Sequence, residues 1–251
     1  MTTDNRVIAV VPARYQSSRF PGKPLAEILD RPMIEWVVEG VEGSELVDET
    51  LVATDDARIH DVVEKTPARP VMTDEDISSG SDRVAAVVES ETADLVLNVQ
   101  GDEPLVEGSM LDRGIRAMRS DSSVQMGTFM TPATDEQYKN SDDVKVVVDK
   151  DNRALYFSRS PIPHQRGEAA SVQLHLGIYL YRRDFLLEYS RMEPTPLERS
   201  EKLEQLRALE NGASIKVVPV ERETLGVDRP EDVPKVEQRL KERQSDQEEF
   251  L

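Results

Sequence analysis

Short apolar runs alternate with amphipathic stretches through the first half of the chain, and this alternation constrains the fold more than any other sequence feature. The runs have the length and continuous hydrophobicity of buried strands. The predicted strands are residues 6–11, 49–54, 69–72 and 94–99, and the predicted helices are residues 32–41, 57–64, 81–91 and 108–119. This spacing indicates an α/β fold with a mostly parallel sheet and helices on both faces.

The second half of the chain is less regular. Its predicted strands are residues 126–131, 144–148, 154–157, 174–181 and 214–220, and its predicted helices are residues 199–210 and 231–241. Neither a linker nor a repeat divides the sequence. We therefore expect a single domain over residues 1–251, with an inserted antiparallel subregion at about 130–190 and a polar tail at 243–251.

Composition excludes several classes of function. The net charge of −18 opposes binding to nucleic-acid backbones or anionic membranes. Cysteine is absent, which removes disulfides and thiolate chemistry, and no apolar run approaches the ~20 residues of a membrane span. The N-terminus lacks the features of a secretion signal. A cytoplasmic enzyme is the expectation.

A basic loop follows the first predicted strand, in the segment VPARYQSSRFPGKP. It contains Arg14, Arg19 and Lys23, and no acidic residue occurs between Asp4 and Glu27. Ligands of open α/β sheets bind at the carboxyl ends of strands, where this loop begins. Arginine and lysine, with hydroxyl donors from Ser17 and Ser18, suit a polyphosphate.

The loop matches neither common phosphate-binding motif. Gly22-Lys23 is followed by proline rather than Ser or Thr, so it is not a Walker A loop, and no GxGxxG fingerprint occurs. A solvated surface loop is the alternative interpretation.

The segment PARYQSSRFPGKPL resembles the signature of the 3-deoxy-manno-octulosonate (Kdo) cytidylyltransferase, or CMP-Kdo synthetase, family. The resemblance continues in order through LVATDD, SSGSDR, LNVQGDEPLV, KVVVD, ALYFSRSPIP, HLGIYLYR, PLERSEKLEQLRALENG and GVDRPEDV. It implies a three-layer, Rossmann-like nucleotide-diphospho-sugar transferase fold and a homodimer that serves lipopolysaccharide biosynthesis. The implied reaction joins CMP from CTP to the sugar acid and releases pyrophosphate.

Two aspartates are the expected ligands of a magnesium cofactor. Asp102 lies in QGDEP after a predicted strand, and Asp228 lies in GVDRP before a predicted helix. Carboxylates suit Mg²⁺, and the resemblance assigns it to this pair. Alternatively, Asp228 caps the helix near Pro230, Asp102 caps a turn, or Glu103 is the ligand. The residues expected to be catalytic are Arg14, Arg19, Lys23, Asp102 and Asp228.

The motif SSGSDR opens a predicted helix, where Gly80 permits close backbone approach and the helix N-terminus favours an oxygen ligand. The resemblance assigns cytidine recognition to this region, and Arg83 is alternatively a surface charge. The residues expected to bind nucleotide are Arg14, Ser17, Arg19, Lys23, Ser79, Gly80, Arg83 and Gln100.

A second stretch of inverted charge covers residues 152–183, where Glu168 is the only acidic residue. Its arginine, histidine and tyrosine residues suit a sugar carboxylate and hydroxyls. By resemblance the sugar-binding residues are Gln100, Arg159, Arg166, His175, Tyr181, Glu204 and Gln205. His175 is alternatively a satisfied core residue, and Glu204 and Gln205 alternatively lie on a solvated helix face.

The identity of the sugar stays open. His164 and Leu180 depart from residues often found in the family and are expected in the sugar-facing region. An 8-amino analogue or a sialic-type acid is therefore an alternative substrate, and a non-catalytic nucleotide-binding protein is an alternative function. A glycosyltransferase is disfavoured because QGDEP has no DxD metal pair. No set of residues for nucleophilic catalysis is visible, so we expect direct displacement.

Overall fold

A computed structural model describes residues 5–17, 19–77, 79–167, 171–221 and 224–248. Its strands in chain order are β1 (Val7–Pro12), β2 (Glu27–Ile28), β3 (Arg31–Pro32), β4 (Glu49–Thr54), β5 (Arg69–Met72), β6 (Leu95–Asn98), β7 (Met126–Pro132), β8 (Lys145–Val148), β9 (Ala154–Ser158), β10 (Gln173–Arg182) and β11 (Ile215–Pro219). Its α-helices are α1 (Met33–Glu42), α2 (Ala57–Val63), α3 (Gly80–Val88), α4 (Gly108–Ser120), α5 (Asp135–Lys139), α6 (Arg183–Tyr189), α7 (Pro196–Glu201), α8 (Gln205–Glu210) and α9 (Val233–Glu248). Short 3-10 helices occupy Lys23–Leu25 and Pro230–Asp232.

The chain divides into two compact units, each built from discontinuous segments. The first unit comprises Arg6–Ala93, Asn98–Asp112 and Thr224–Leu251. The second unit comprises Met1–Asn5, Asp94–Leu97 and Arg113–Glu223. The expectation of one domain over the whole chain stays a prediction.

Parallel strands form the centre of the first unit. β1 pairs with β4 in parallel, and β4 pairs with β5 in parallel. The residues of β1 from Val7 to Val11 are completely buried, as their continuous apolar run predicts. A core cluster between α1 and α9 includes Trp36, whose indole N–H donates to the Ile28 carbonyl at 2.9 Å. This cluster packs α1 and α9 together with the segments around Ile28 and Leu105.

Strand β7 is central to the second unit. It pairs in parallel with β11 and antiparallel with β10. β10 also pairs antiparallel with β8, and β8 pairs antiparallel with β9. The antiparallel region expected at about 130–190 is therefore present. A register shift between Leu176 and Tyr179 interrupts the pairing of β10 with β7.

Most predicted strands and helices agree with the structure to within a few residues. The helix predicted over 199–210 is wrong, because α7 ends at Glu201 and α8 begins at Gln205. Lys202 between them adopts the left-handed conformation with φ of 56°, which an α-helix cannot accommodate. The short elements β2, β3, α5 and α6 were not predicted, and α9 extends to Glu248, into the expected polar tail.

Among the residues that the structure describes, no helix combines the length and the apolar character needed to cross a membrane.

Candidate active site

The basic loop follows β1 and closes on itself. The N–H of Ala13 donates to the Ala53 carbonyl of β4 at 2.8 Å, which fixes the start of the loop. The N–H of Gly22 donates to the Tyr15 carbonyl at 2.8 Å. Gly22 has a φ of 72°, in the region that favours glycine, and a β-carbon there would lie 3.1 Å from the Tyr15 ring. Glycine therefore permits the tight return of the loop.

Two further segments of the first unit approach this loop. The N–H of Val99 donates to the Val10 carbonyl at 3.1 Å, which places the segment after β6 beside β1. A β-carbon on Gly101 would lie only 2.7 Å from the Pro12 carbonyl oxygen, so the two backbones nearly touch. The N–H of Val227 donates to the carbonyl of Asp102 at 2.8 Å. These contacts bring Asp102 and Asp228 to the basic loop.

A cavity of about 190 Å³ lies where these segments meet. All the residues predicted for nucleotide and metal binding line it: Arg14, Ser17, Arg19, Lys23, Ser79, Gly80, Arg83, Gln100, Asp102 and Asp228. Pro12, Ala13, Pro24, Ile77 and Gly101 complete the lining and were not predicted. Ser18 lies outside the described residues. The basic loop therefore forms part of a concave site, in which Arg14 and Arg19 are themselves exposed.

The N-terminus of α3 forms one wall of the cavity. Ser79 caps the helix by accepting a hydrogen bond from the Asp82 N–H at 3.0 Å. A β-carbon on Gly80 would lie 3.3 Å from Gln100 Oε1, so glycine leaves room for that amide. Gln100 Nε2 donates to Asn98 Oδ1 at 2.9 Å, which orients the amide. The wall thus presents a helix N-terminus beside an oriented amide group.

Arg83 is an anchored residue and not a surface charge. It is only 2% exposed. Its guanidinium donates to Thr73 Oγ1, to Asp55 Oδ2 at 3.1 Å and to the Ile77 carbonyl at 3.3 Å. Asp55 Oδ1 also accepts from the Tyr15 N–H of the basic loop at 3.2 Å. Asp55 therefore links the loop to α3, a role that the sequence analysis missed.

Lys23 lies between the two predicted metal ligands. Its ammonium forms an ion pair with Asp102 and lies 3.9 Å from Asp228 Oδ1. Arg19 Nη1 donates to Asp228 Oδ2 at 2.9 Å. The two carboxylates thus already surround one positive group, and oxygen donors of this kind fit Mg²⁺. The donor set is compatible with the expected metal.

The alternative roles considered for these aspartates do not match the structure. The N-cap of the 3-10 helix Pro230–Asp232 is Arg229 and not Asp228. Asp232 Oδ2 accepts hydrogen bonds from the N–H groups of Asp228 and Arg229. Asp102 uses its side chain to pair with Lys23 rather than to cap a turn. Glu103, the competing ligand, is not among the described residues that line the cavity.

The predicted sugar-binding residues other than Gln100 belong to the second unit. Arg159 follows β9 and is partly exposed. Its Nε donates to the Glu201 carbonyl at 3.0 Å, and its Nη1 donates to the carbonyls of Ser141 and Asp142 at 3.3 Å each. His164 and Arg166 are exposed, and Glu168 lies outside the described residues.

His175 is partly buried within β10. Its Nε2 lies 3.0 Å from Thr128 Oγ1, and its ring meets Phe157 edge-on at 5.0 Å. Burial lowers the pKa of His175 to about 3, so the imidazole is neutral near pH 7. These contacts fit the interpretation of a satisfied core histidine, and its role in sugar binding stays a prediction.

Tyr179 contacts a predicted site residue, whereas Tyr181 is enclosed. The Tyr179 hydroxyl donates to Gln205 Oε1 at 3.1 Å, and burial raises the pKa of Tyr179 so that it stays a donor. Gln205 is 2% exposed, which excludes a solvated helix face for it, while Glu204 is exposed. Tyr181 is 1% exposed, and its role in sugar binding stays a prediction.

Leu180 does not lie in the sugar-facing region predicted for it. Successive residues of a strand point to opposite faces, so Leu180 faces away from Tyr179 and Tyr181. It is completely buried, and a β-carbon on Gly114 of α4 would lie 3.0 Å from its Cδ1. The expectation that it faces the sugar is wrong, and its departure from the family pattern concerns packing.

Comparisons with known proteins match this chain to cytidylyltransferases over nearly its whole length. The cytidylyltransferase family model matches residues 8–216. A 3-deoxy-manno-octulosonate cytidylyltransferase from Syntrophotalea carbinolica is 48% identical over 246 residues, covering 94% of this chain and 98% of the relative. A protein of the same name from Geobacter metallireducens is 45% identical over 248 residues, with 94% and 98% covered.

A solved structure of similar sequence has the same fold as this chain. The structure of CMP:2-keto-3-deoxy-manno-octonic acid synthetase complexed with CTP has a TM-score of 0.91 and 39% identity, covering 95% of this chain and 99% of that chain. This similarity confirms the predicted mixed α/β fold, with a mostly parallel sheet and an antiparallel part.

Proposed function

Because the chain belongs to the cytidylyltransferase family, we propose that it transfers CMP from CTP to the anomeric hydroxyl of a 3-deoxy-octulosonate-type sugar acid and releases pyrophosphate. The chain is a nucleotidyltransferase, and relatives with the name 3-deoxy-manno-octulosonate cytidylyltransferase match it over 94% of its length. The observation that carries the proposal is the convergence of the basic loop, the α3 N-terminus and two aspartates on one cavity.

The basic loop is the proposed binding site of the triphosphate. Arg14, Arg19 and Lys23 line the cavity in a chain whose net charge is −18. Such a local reversal of charge concentrates a polyanion against an otherwise repulsive surface. Guanidinium forks and an ammonium group form strong hydrogen bonds with phosphate oxygens. They also stabilise the negative charge of the departing pyrophosphate.

The wall formed by α3 is the proposed binding site of the nucleoside. Ser79 and Gly80 place the positive end of the helix dipole at the cavity, and Gln100 presents an oriented amide. Arg83 is held by Asp55 and shapes this wall. These are neutral or positive groups suited to the oxygen atoms of cytidine.

Asp102 and Asp228 are the proposed holders of the magnesium cofactor. Magnesium, when bound by this pair together with phosphate oxygens, would neutralise charge on the triphosphate and favour ionisation of the sugar hydroxyl. In the structure Lys23 supplies positive charge between the same carboxylates. The residues of the chain therefore hold the two aspartates in place independently of the metal.

The sugar acid is proposed to meet residues of the second unit. Arg159 and Arg166 suit its carboxylate, and the side chains of His175 and Gln205 suit its hydroxyl groups. Gln205 Nε2 is buried without a hydrogen-bond partner among the described residues, so it offers a donor to a ligand. The Tyr179 hydroxyl fixes the orientation of that amide by donating to Gln205 Oε1.

The proposed chemistry is a direct in-line displacement. The anomeric oxygen of the sugar acid forms a bond to the α-phosphorus of CTP as the bond from that phosphorus to the bridging oxygen breaks. The hydroxyl proton is lost to solvent, and pyrophosphate leaves with the bonding electrons. No side chain acts as a nucleophile, so catalysis comes from positioning and from stabilisation of charge.

A pyrophosphate-release assay tests the proposal. The assay combines CTP with a panel of acids, namely Kdo, its 8-amino analogue and a sialic-type acid, and repeats Kdo with ATP, GTP and UTP. Release with CTP and Kdo above every other pairing is the expected result. CTP binding without pyrophosphate release from any acid would overturn the proposal and favour a non-catalytic nucleotide-binding protein.

Three further properties belong to the same proposal. We expect a homodimer, a cytoplasmic location and a place in lipopolysaccharide biosynthesis, each from the resemblance described above. Light scattering coupled to gel filtration checks the first, with about twice the chain mass of 28.3 kDa as the expected value.

A further inference from the structure

Glu201 accepts two hydrogen bonds from Arg159, one at its carboxylate and one at its backbone carbonyl. Its Oε2 accepts the Arg159 N–H at 3.0 Å, and its carbonyl accepts Arg159 Nε at 3.0 Å. Its Oε1 accepts the Ser158 hydroxyl at 2.6 Å. One residue therefore fixes the backbone and the side chain of Arg159 together.

The end of α7 creates this arrangement. Glu201 is the last residue of the helix, and left-handed Lys202 follows it with φ of 56°. Had the helix continued as the sequence pattern predicts, the Glu201 carbonyl would accept an intrahelical hydrogen bond from residue 205. The break leaves that carbonyl to receive Arg159 Nε.

Lys145 holds the backbone carbonyl of Arg159. It is completely buried, and its Nζ donates to the carbonyls of Arg159 at 2.6 Å, Asp143 at 2.6 Å and Asn140 at 2.7 Å. An ammonium has three donors, and these three carbonyls satisfy all of them. Arg159 is thus held at its N–H by Glu201 and at its carbonyl by Lys145.

Among the described residues, the guanidinium of Arg159 donates hydrogen bonds to neutral acceptors only. These acceptors are the carbonyls of Glu201, Ser141 and Asp142, and no carboxylate oxygen of the described residues lies within 4.0 Å of the guanidinium. Its Nη2 makes no hydrogen bond in the part of the chain that the structure describes. The positive charge of this partly exposed side chain is therefore available to an anionic ligand.

We infer that Glu201 and Lys145 are positioning residues, which hold the Arg159 guanidinium ready to receive the carboxylate of the sugar acid. The inference rests on the proposed function, in which Arg159 binds that carboxylate. Neither residue touches the substrate. They act by fixing the direction of the free guanidinium edge before the ligand arrives, which removes an ordering cost from binding.

The test compares the full-length parent chain with Glu201→Gln, which keeps the shape of the side chain but gives it only one acceptor oxygen. Glu210→Gln in α8 is the matched control, because among the described residues the exposed Glu210 carboxylate accepts a hydrogen bond only from the Leu197 N–H, at 3.1 Å. We expect Glu201→Gln to raise the KM for the sugar acid by about ten- to fifty-fold, with a smaller effect on kcat. The Kd for CTP, measured by calorimetry, should stay at the parent value.

A second readout separates positioning from a general structural defect. The methyl ester of the sugar acid lacks the carboxylate charge and serves as a competitive inhibitor. In the parent we expect the acid to bind more tightly than the ester, and in Glu201→Gln we expect this preference to shrink while ester binding is unchanged. If Glu201→Gln does not fold, Ser158→Ala decides by the same measurements, because it removes the shorter of the two hydrogen bonds to Glu201 Oε1 and leaves that from the Tyr156 hydroxyl at 3.5 Å.

The outcomes distinguish the two proposals. A parent chain that converts no sugar acid overturns the proposed function. An active parent whose folded variants keep the parent KM and the parent preference for acid over ester overturns the positioning role alone.

Discussion

The ammonium group of Lys23 is ion-paired with the carboxylate of Asp102, and a second carboxylate, that of Asp228, lies 3.9 Å from the same nitrogen. Lys23 is also a proposed triphosphate ligand, and the two aspartates are the proposed metal ligands. The pairing therefore links two binding events. When phosphate oxygens attract Lys23, both carboxylates lose a positive neighbour and become better ligands for a cation.

Replacing Lys23 with methionine should separate these two events. The uncharged side chain leaves Asp102 and Asp228 without the intervening ammonium, so we expect the nucleotide-free protein to bind Mn²⁺ more tightly, as followed by the EPR signal of free Mn²⁺. We expect the affinity for CTP to fall by about ten- to a hundred-fold, because a charged hydrogen-bond donor is lost. Lys65→Met, at an exposed position of the same unit, is the control. Weaker Mn²⁺ binding in Lys23→Met would contradict the linkage.

Replacing Asp102 with asparagine should abolish turnover while the protein still folds. The substitution removes the negative charge next to Lys23 but keeps the size of the side chain. We expect kcat to fall by about a hundredfold or more, the scale seen when a group that stabilises transition-state charge is lost. Circular dichroism and steady-state kinetics provide the measurements.

Glu103→Gln is the variant to compare with Asp102→Asn, because Glu103 is the alternative candidate for the magnesium ligand in QGDEP. It should retain far more activity than Asp102→Asn. Equal losses in the two variants, or an Asp102→Asn enzyme within a few-fold of the parent, would remove Asp102 from the metal site.

Replacing Asp55 with asparagine should weaken both the fold and the nucleotide site. Asp55 pairs with Arg83, which is 2% exposed, so the variant leaves a buried guanidinium charge without its counter-ion. Breaking one side of a buried pair costs about 3–5 kcal/mol, and we expect the free energy of unfolding in urea to fall on this scale. The exposed Asp61→Asn is the control. Unchanged stability with unchanged CTP affinity would show that Asp55 neither anchors Arg83 nor supports the loop.

The sequence was most informative about the buried strands. The strand predicted at 49–54 coincides with β4, because its short apolar run is buried along nearly its whole length. The strand predicted at 69–72 has the bounds of β5, although its residues are partly buried or exposed. The position of the basic loop followed from the same argument, since a strand end and a reversal of charge coincide there. The positions of Arg14, Arg19 and Lys23 at the cavity were therefore predictable.

Contacts between distant residues were not predictable from local pattern. The helical pattern over 199–210 has no glycine or proline at its centre, yet the chain breaks at Lys202. The break accompanies contacts of Glu201 with Ser158 and Arg159, more than forty residues away in sequence. Asp55 was missed for the same reason, because its partner Arg83 lies on a different element.

The pKa of His175 predicts an unusual response to acid. Burial lowers it to about 3 from the ordinary value of 6.5, so the unfolded chain binds more protons than the folded chain between these two values. The contribution of His175 to the free energy of unfolding should therefore rise with pH across that interval. The same contribution is lost as the pH falls from 6.5 towards 3. His175→Gln should show a shallower dependence in urea titrations between about pH 4 and 6.5. An NMR titration in which the His175 ring protonates near pH 6.5 would contradict the assignment.

Replacing Gly80 with alanine should lower the activity of the protein without lowering its stability. Gly80 is the first residue of α3, and alanine in a helix is more favourable than glycine by about 0.5–1 kcal/mol, so the free energy of unfolding should stay the same or rise. The added β-carbon, however, would lie 3.3 Å from Gln100 Oε1 and 3.5 Å from Pro12 Cγ, so the Gln100 amide must move. That movement disturbs its hydrogen bond to Asn98, and misplacement of a positioned group reduces turnover. We expect kcat/KM for CTP to fall by about three- to ten-fold, on the lower side of the losses caused by such misplacement.

The matched control for Gly80→Ala is Gly43→Ala at the end of α1. A β-carbon at Gly43 meets only ordinary contacts, the nearest being the Gly40 carbonyl at 3.4 Å, and the position is far from Gln100 in sequence. Urea unfolding and steady-state kinetics on both variants give the comparison. If Gly80→Ala keeps the parent kcat/KM while its stability rises, the amide of Gln100 does not need its present position, and the nucleoside must be recognised elsewhere on the cavity wall.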